Sequence, residues 1–145
     1  MIWKNEAIEK LKQYDAKRGA LDSIPKAIRE LELDMQIIRG AAVDRTPVRG
    51  SGSRHEDAML SNIVKREELE RSLEQARLWV GVVDNAMSVL TEDEKLILER
   101  LFIYQEKHAA ERLADELFCE VKTIYRWKDK ALRKFTIALY GAVES

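Results

Sequence analysis

Leu69, Leu73, Ala76, Val80, Val83, Met87 and Leu90 recur at spacings of 4, 3, 4, 3, 4 and 3. That pattern lines one side of an α-helix and cannot be mistaken for the twofold alternation of a strand. Three heptads of it are buried only against another stripe of the same kind. Leu21, Ile24, Ile28, Leu31, Met35 and Ile38, at spacings of 3, 4, 3, 4 and 3, supply one, and Met59, Leu60, Ile63 and Val64 extend the longer stripe backwards. Six glycines and two prolines in 145 residues leave few places to turn, so the elements are long and the fold class is all-α. A 46 % apolar fraction with a net charge of −1 excludes a collagen-like or wholly disordered chain.

The first helix is predicted from Trp3 to Arg18, where Trp3, Ala7, Leu11 and Tyr14 share a face with Ile8 between them. Asp22-Ser23-Ile24-Pro25 offers cap side chains followed by a proline of the kind tolerated in a first helical turn, and so predicts a second helix start. Gly40, Pro47, Gly50 and Gly52 punctuate an aperiodic stretch, predicted as a flexible loop over about 39–53. Ser53-Arg54-His55-Glu56 has the form of a capping box and predicts a third helix from about residue 54 to Leu90. Its length, about 55 Å at 1.5 Å per residue, matches the roughly 50 Å of the first two helices end to end, which predicts a long antiparallel, coiled-coil-like hairpin. Thr91-Glu92-Asp93-Glu94 is a second capping box. The broad apolar face after it (Leu96, Ile97, Leu98, Leu101, Phe102, Ile103) suits a small trihelical core. Domains are therefore expected at 1–90 and 91–145.

Charge is segregated along the second of these. From Glu92 to Glu120 nine acidic residues face four basic ones, whereas from Val121 to Phe135 six basic residues (Lys122, Arg126, Lys128, Lys130, Arg133, Lys134) face only Asp129. Ala114 at a helix crossing, Leu113 and Leu117 beside it, Cys119 in a short connection, then Ile124 and Trp127 together predict a helix-turn-helix. Phe118 stands where the turn usually has glycine. With Ile124 at 0° and 100° per residue, Trp127, Ala131 and Phe135 fall at about 300°, 340° and 20°, an apolar back. Lys122, Arg133, Arg126 and Lys130 fall opposite, at about 160° to 240°, as a cationic front of the kind that meets phosphates and base edges in a major groove.

Leu113-Ala114-Asp115-Glu116-Leu117, Ile124-Tyr125-Arg126 and Lys130-Ala131-Leu132-Arg133-Lys134-Phe135 resemble the fourth region of bacterial sigma factors, the module that reads the upstream promoter element. Leu90-Thr91-Glu92-Asp93-Glu94 is similar to the opening of that module, so the resemblance spans about residues 90–137. As a whole the chain resembles small phage and prophage sigma-like regulators, with kin in the ArpU and RinA type of late-gene activator. The resemblance implies base contacts near Val121, Lys122 and Arg126 and phosphate contacts near Thr123 and Tyr125. Lys130 and Arg133 join them on the cationic front. Sigma modules commonly carry Arg-Glu where Val121-Lys122 stand here, so the usual promoter sequence is not implied. Segments for melting DNA or for the main grip on RNA polymerase are not recognisable.

The expectation is a phage or prophage DNA-binding transcription regulator. Its partners would be double-stranded DNA, host RNA polymerase and a second copy of the chain through the hairpin. Two alternatives are a small terminase-like packaging subunit and a helical protein-interaction module. Neither enzymatic activity nor a cofactor is expected: one cysteine and two histidines do not make a four-ligand zinc site, and Cys119 reads as an apolar turn filler. Trp127 reads as core. The cationic stretch of Arg39, Arg45, Arg49 and Arg54 reads as solvated, with a second DNA contact as the alternative. With no long apolar run and no signal-peptide pattern at Met1-Ile2-Trp3-Lys4, no membrane association and a cytoplasmic location are expected.

Overall fold

The computed structural model describes residues 2–43 and 51–143 and is helical throughout, with no strand among the described residues. The order is α1 (Trp3–Val43), α2 (Ser51–Met87), α3 (Glu92–Leu98) running into a π-helical turn (Glu99–Ile103), α4 (Ala109–Glu116) and α5 (Val121–Tyr140). Among the described residues no helix is long and apolar enough to cross a membrane.

Where two helices are predicted, α1 runs unbroken through Pro25. An interior proline has no N–H for the carbonyl four residues back and crowds it, at about 3 kcal/mol. The apolar stripe continues on both sides of it: Leu21, Ile24, Ile28 and Leu31 are half-buried and Met35 buried, and ending the helix would expose that stripe. Asp22 and Ser23 are exposed side chains on a continuing helix. At the predicted loop, residues 39–43 are the end of α1 and Ser51 already begins α2, ahead of the predicted start at 54. Residues 44–50, the rest of that loop, and the Ser53 side chain of the proposed capping box lie outside the described residues.

The chain divides into two compact units, one of Gly19–Arg77 and one of Met1–Arg18 with Leu78–Ser145. In the first, Met35, Leu73 and Ala76 are buried. The sequence stripe assigns Leu60 and Val64 to this seam, yet both are exposed, and Asn62 is buried instead. Stepping back from Leu69 by 3 and 4 reaches Arg66, Asn62 and Met59, so the heptad register, not local hydropathy, decides which residues turn inward. Asn62 Nδ2 donates to the Leu31 carbonyl at 2.7 Å and its Oδ1 accepts from Arg66 Nε at 2.8 Å. A buried amide satisfied in this way holds one register, because sliding would leave it unpaired.

The second unit is built on two clusters. Ala7 and Leu11 of α1 and Val83, Ala86 and Met87 of α2 join Leu90, Leu98, Ile103, Ala131, Leu132 and Phe135 in the larger. Ile97, Ala110, Leu113, Ala114 and Ile124 make the smaller. Packing therefore continues across Leu90 without a break. α5 belongs to both clusters, giving Ile124 to one and Ala131, Leu132 and Phe135 to the other, and α3 divides its neighbours Ile97 and Leu98 in the same way. Trp3 stacks on Tyr140 with ring centroids 4.6 Å apart, which fastens the end of α5 to the start of α1. Phe135 is fully buried, so Phe135→Ala is expected to destabilise the fold by about 3–5 kcal/mol. Chemical denaturation measures this, and a loss below about 1 kcal/mol would contradict the shared core.

Candidate nucleic-acid interface

Two polar arrangements set the frame in which α5 sits. At the start of α3 the predicted capping box is present: Thr91 Oγ1 accepts from the Glu94 N–H at 3.2 Å, and Glu94 Oε1 accepts from the Thr91 N–H at 3.0 Å. The same Oε1 accepts from Lys134 Nζ of α5 at 3.0 Å, so the cap is also a tether between the two helices. Burial pushes the Glu94 pKa up, but the donors from Thr91 and Lys134 outweigh it and hold the carboxyl below the usual range. The second arrangement centres on Arg100, whose side chain is 13 % exposed and pairs with Glu106 at 2.8 Å and with Glu116 at the end of α4. It lies in the π-helical turn, where the Tyr104 N–H reaches back to the Glu99 carbonyl at 2.8 Å. One guanidinium from that turn thus joins the segment that follows it to the end of α4.

Buried Ala109, Ala110, Leu113 and Ala114 hold α4 against its neighbours, and small residues there allow close approach. A four-residue connection, Leu117 to Glu120, leads to α5. The Leu117 N–H returns to the Leu113 carbonyl at 2.8 Å and the Cys119 N–H to the Ala114 carbonyl at 3.0 Å. Phe118 takes φ +55°, the left-handed conformation that glycine adopts freely, and is 95 % exposed. The backbone demanded by the turn is thus made without glycine. Cys119 is half-buried and packs on the smaller cluster, as an apolar turn filler does.

On α5, Ile124, Ala131, Leu132, Phe135 and Thr136 are buried. Lys122, Tyr125, Arg126, Lys130 and Arg133 are exposed, while Val121 and Thr123 are half-buried, Val121 against the smaller cluster. The six cations do not stand alike. Lys134 is taken by Glu94, Lys128 pairs with Asp129 at 3.3 Å and Lys122 with Glu120 at 3.7 Å. Among the described residues Arg126, Lys130 and Arg133 have no ion pair. Lys128 Nζ lies 5.4 Å from the centre of the Tyr125 ring. The predicted core residue Trp127 is 36 % exposed and borders a shallow hollow with Thr91, Asp93, Ile97 and Lys130. The buried face of α5 is centred between Ile124 and Leu132, turned away from the 300° direction on which Trp127 lies, so nearness in angle to Ile124 and Phe135 is not enough to bury it. Of the cationic loop residues, Arg39 and Arg54 are exposed, and Arg45 and Arg49 lie outside the described residues.

Comparison of the chain with protein families, with curated proteins and with solved structures gives no match.

Two outcomes follow from this geometry. Phe118→Gly is expected to raise stability by about 1 kcal/mol, since it removes left-handed strain and no buried contact is lost; a lowered melting temperature would contradict it. Because the Glu94 carboxyl is depressed in the folded state, its contribution is complete above about pH 4.3 and is lost as the pH falls through the lower folded value. Glu94→Gln should therefore flatten the acid side of the stability profile, measured as urea midpoints between about pH 5 and pH 3. An unchanged slope would be the contrary result.

Proposed function

We propose that the chain is a sequence-specific DNA-binding transcription regulator of phage or prophage type, with α4 and α5 as its helix-turn-helix and α5 as the reading helix. The observation that carries this reading is the division of α5 into a buried apolar back and an exposed front on which Arg126, Lys130 and Arg133 have no acidic partner among the described residues. A helix seated in a major groove needs both: the back fixes its angle, and the front offers donors to phosphates and base edges. Glu120, at the N-cap of α5, makes no side-chain cap bond. The Thr123 N–H donates to the Glu120 carbonyl at 3.0 Å, which leaves the Val121 and Lys122 amides to a phosphate, in keeping with the positive end of the helix dipole. The resemblance of residues 90–137 to the fourth region of sigma factors supports the same assignment, residue by residue, with Val121, Lys122 and Arg126 nearest the bases and Thr123 and Tyr125 nearest the backbone.

One helix-turn-helix buries only about 600–1,000 Å² on DNA, so useful affinity needs a second attachment. The helices before Thr91 are the part of the chain suited to give it, through a second copy or through RNA polymerase, by raising the effective concentration of the reading helix.

Arg126→Ala is expected to weaken duplex binding by about 1–3 kcal/mol while folding stability changes by less than about 0.5 kcal/mol. Fluorescence anisotropy and thermal melting report the two separately, and a matched loss of folding would overturn the assignment. If about four phosphates are engaged, log Kd against log salt concentration has a slope near 4 in magnitude. Binding indifferent to salt would instead favour a protein-interaction module.

A further inference from the structure

α5 carries two aromatic side chains that belong to neither core cluster and stay partly uncovered: Tyr125 is 47 % and Trp127 36 % exposed. Measured from Ile124 at 100° per residue, the cations Lys122, Arg126, Lys130 and Arg133 occupy about 160° to 240°, with Tyr125 at about 100° and Trp127 at about 300°. The cationic strip is thus flanked on each side by one aromatic group, with the exposed Asp129 (about 140°) between it and Tyr125 and with Thr123 and Lys134 (about 260° and 280°) between it and Trp127, and the two aromatics lie about 3 Å apart along the axis. A helix with its side chains is about 10–12 Å across and the major groove of B-form DNA about 12 Å wide. Groups on opposite edges of a seated helix therefore face opposite walls, which are the sugar–phosphate backbones of the two strands. A phenol O–H and an indole N–H are both donors, and phosphate oxygens accept from such groups.

We propose that Tyr125 and Trp127 are paired wall contacts, each donating to the backbone of a different strand, so that α5 is gauged to an intact B-form duplex and not to a single strand. This rests on the DNA-binding reading above and adds to it a residue, Trp127, and a requirement for two strands. Asp93 borders the same hollow as Trp127 and would oppose the phosphate on that side, moderating the contact.

The test uses the full chain, a fluorescein-labelled duplex of mixed sequence about 30 base pairs long at low salt, and either of its strands alone. Trp127→Phe and Tyr125→Phe keep the ring and remove the donor. Each is expected to weaken duplex binding about fivefold and to leave single-strand binding unchanged. Asp93→Asn is expected to tighten duplex binding about twofold. The change in indole fluorescence on adding duplex should vanish in Trp127→Phe, which keeps Trp3 and Trp79 as background. If Trp127→Phe binds duplex like the parent and shows the same fluorescence change, the inference fails, while a loss in Arg126→Ala still upholds the reading. Equal losses on duplex and single strand would overturn the two-wall geometry in favour of base stacking. No binding of the parent chain to duplex would overturn both.

Discussion

The structure depends on the sharing of α5 between two cores. Its first half is held by Ile124 in the smaller cluster and its second by Ala131, Leu132 and Phe135 in the larger. A helix gripped at two levels cannot roll about its axis without breaking one of them, and so the azimuth of every exposed residue on it is fixed. The tether from Lys134 to the α3 cap and the stack of Trp3 on Tyr140 act in the same sense. Because the chain N-terminal to Arg18 and the last turns of α2 take part in that grip, the cationic front is oriented by residues more than a hundred positions away in sequence.

That dependence separates what neighbouring residues in the sequence determine from what only distant packing does. The long 4-3 stripe of α2, the capping box at Thr91 and the apolar back of α5 follow from local periodicity and from backbone donors that need partners, and both can be read from neighbouring residues. Pro25 could not be read locally. The same Asp-Ser-Ile-Pro run that starts a helix in isolation lies inside one here, because the flanking stripe outweighs the lost hydrogen bond. Leu60 and Val64 differ from expectation for a related reason: hydropathy favours them, whereas the register set by Leu69 and Leu73 turns Met59, Asn62 and Arg66 inward.

The candidate site shows the same limit. Lys122, Arg126, Lys130 and Arg133 stand on the outer side as helical angles predict, but the angles say nothing about partners, and it is pairing that separates Lys122, Lys128 and Lys134 from Arg126, Lys130 and Arg133. Trp127 lies within about 60° of Ile124, which by helical angle alone predicts core packing. With two clusters the direction drifts along the helix, and a residue at the margin of the average face falls outside it. Phe118 marks the turn by backbone conformation, a property that its residue type conceals.

The central claim is that α5 is a rod with its apolar side held and its cationic side left for a duplex. Amide and side-chain chemical-shift mapping by NMR on titration with a mixed-sequence duplex tests it most directly. The account predicts perturbations concentrated at Lys122, Tyr125, Arg126, Lys130 and Arg133, fading toward Tyr140 and weak along α2. Perturbations centred on the outer faces of α1 and α2, with α5 unchanged, would contradict it.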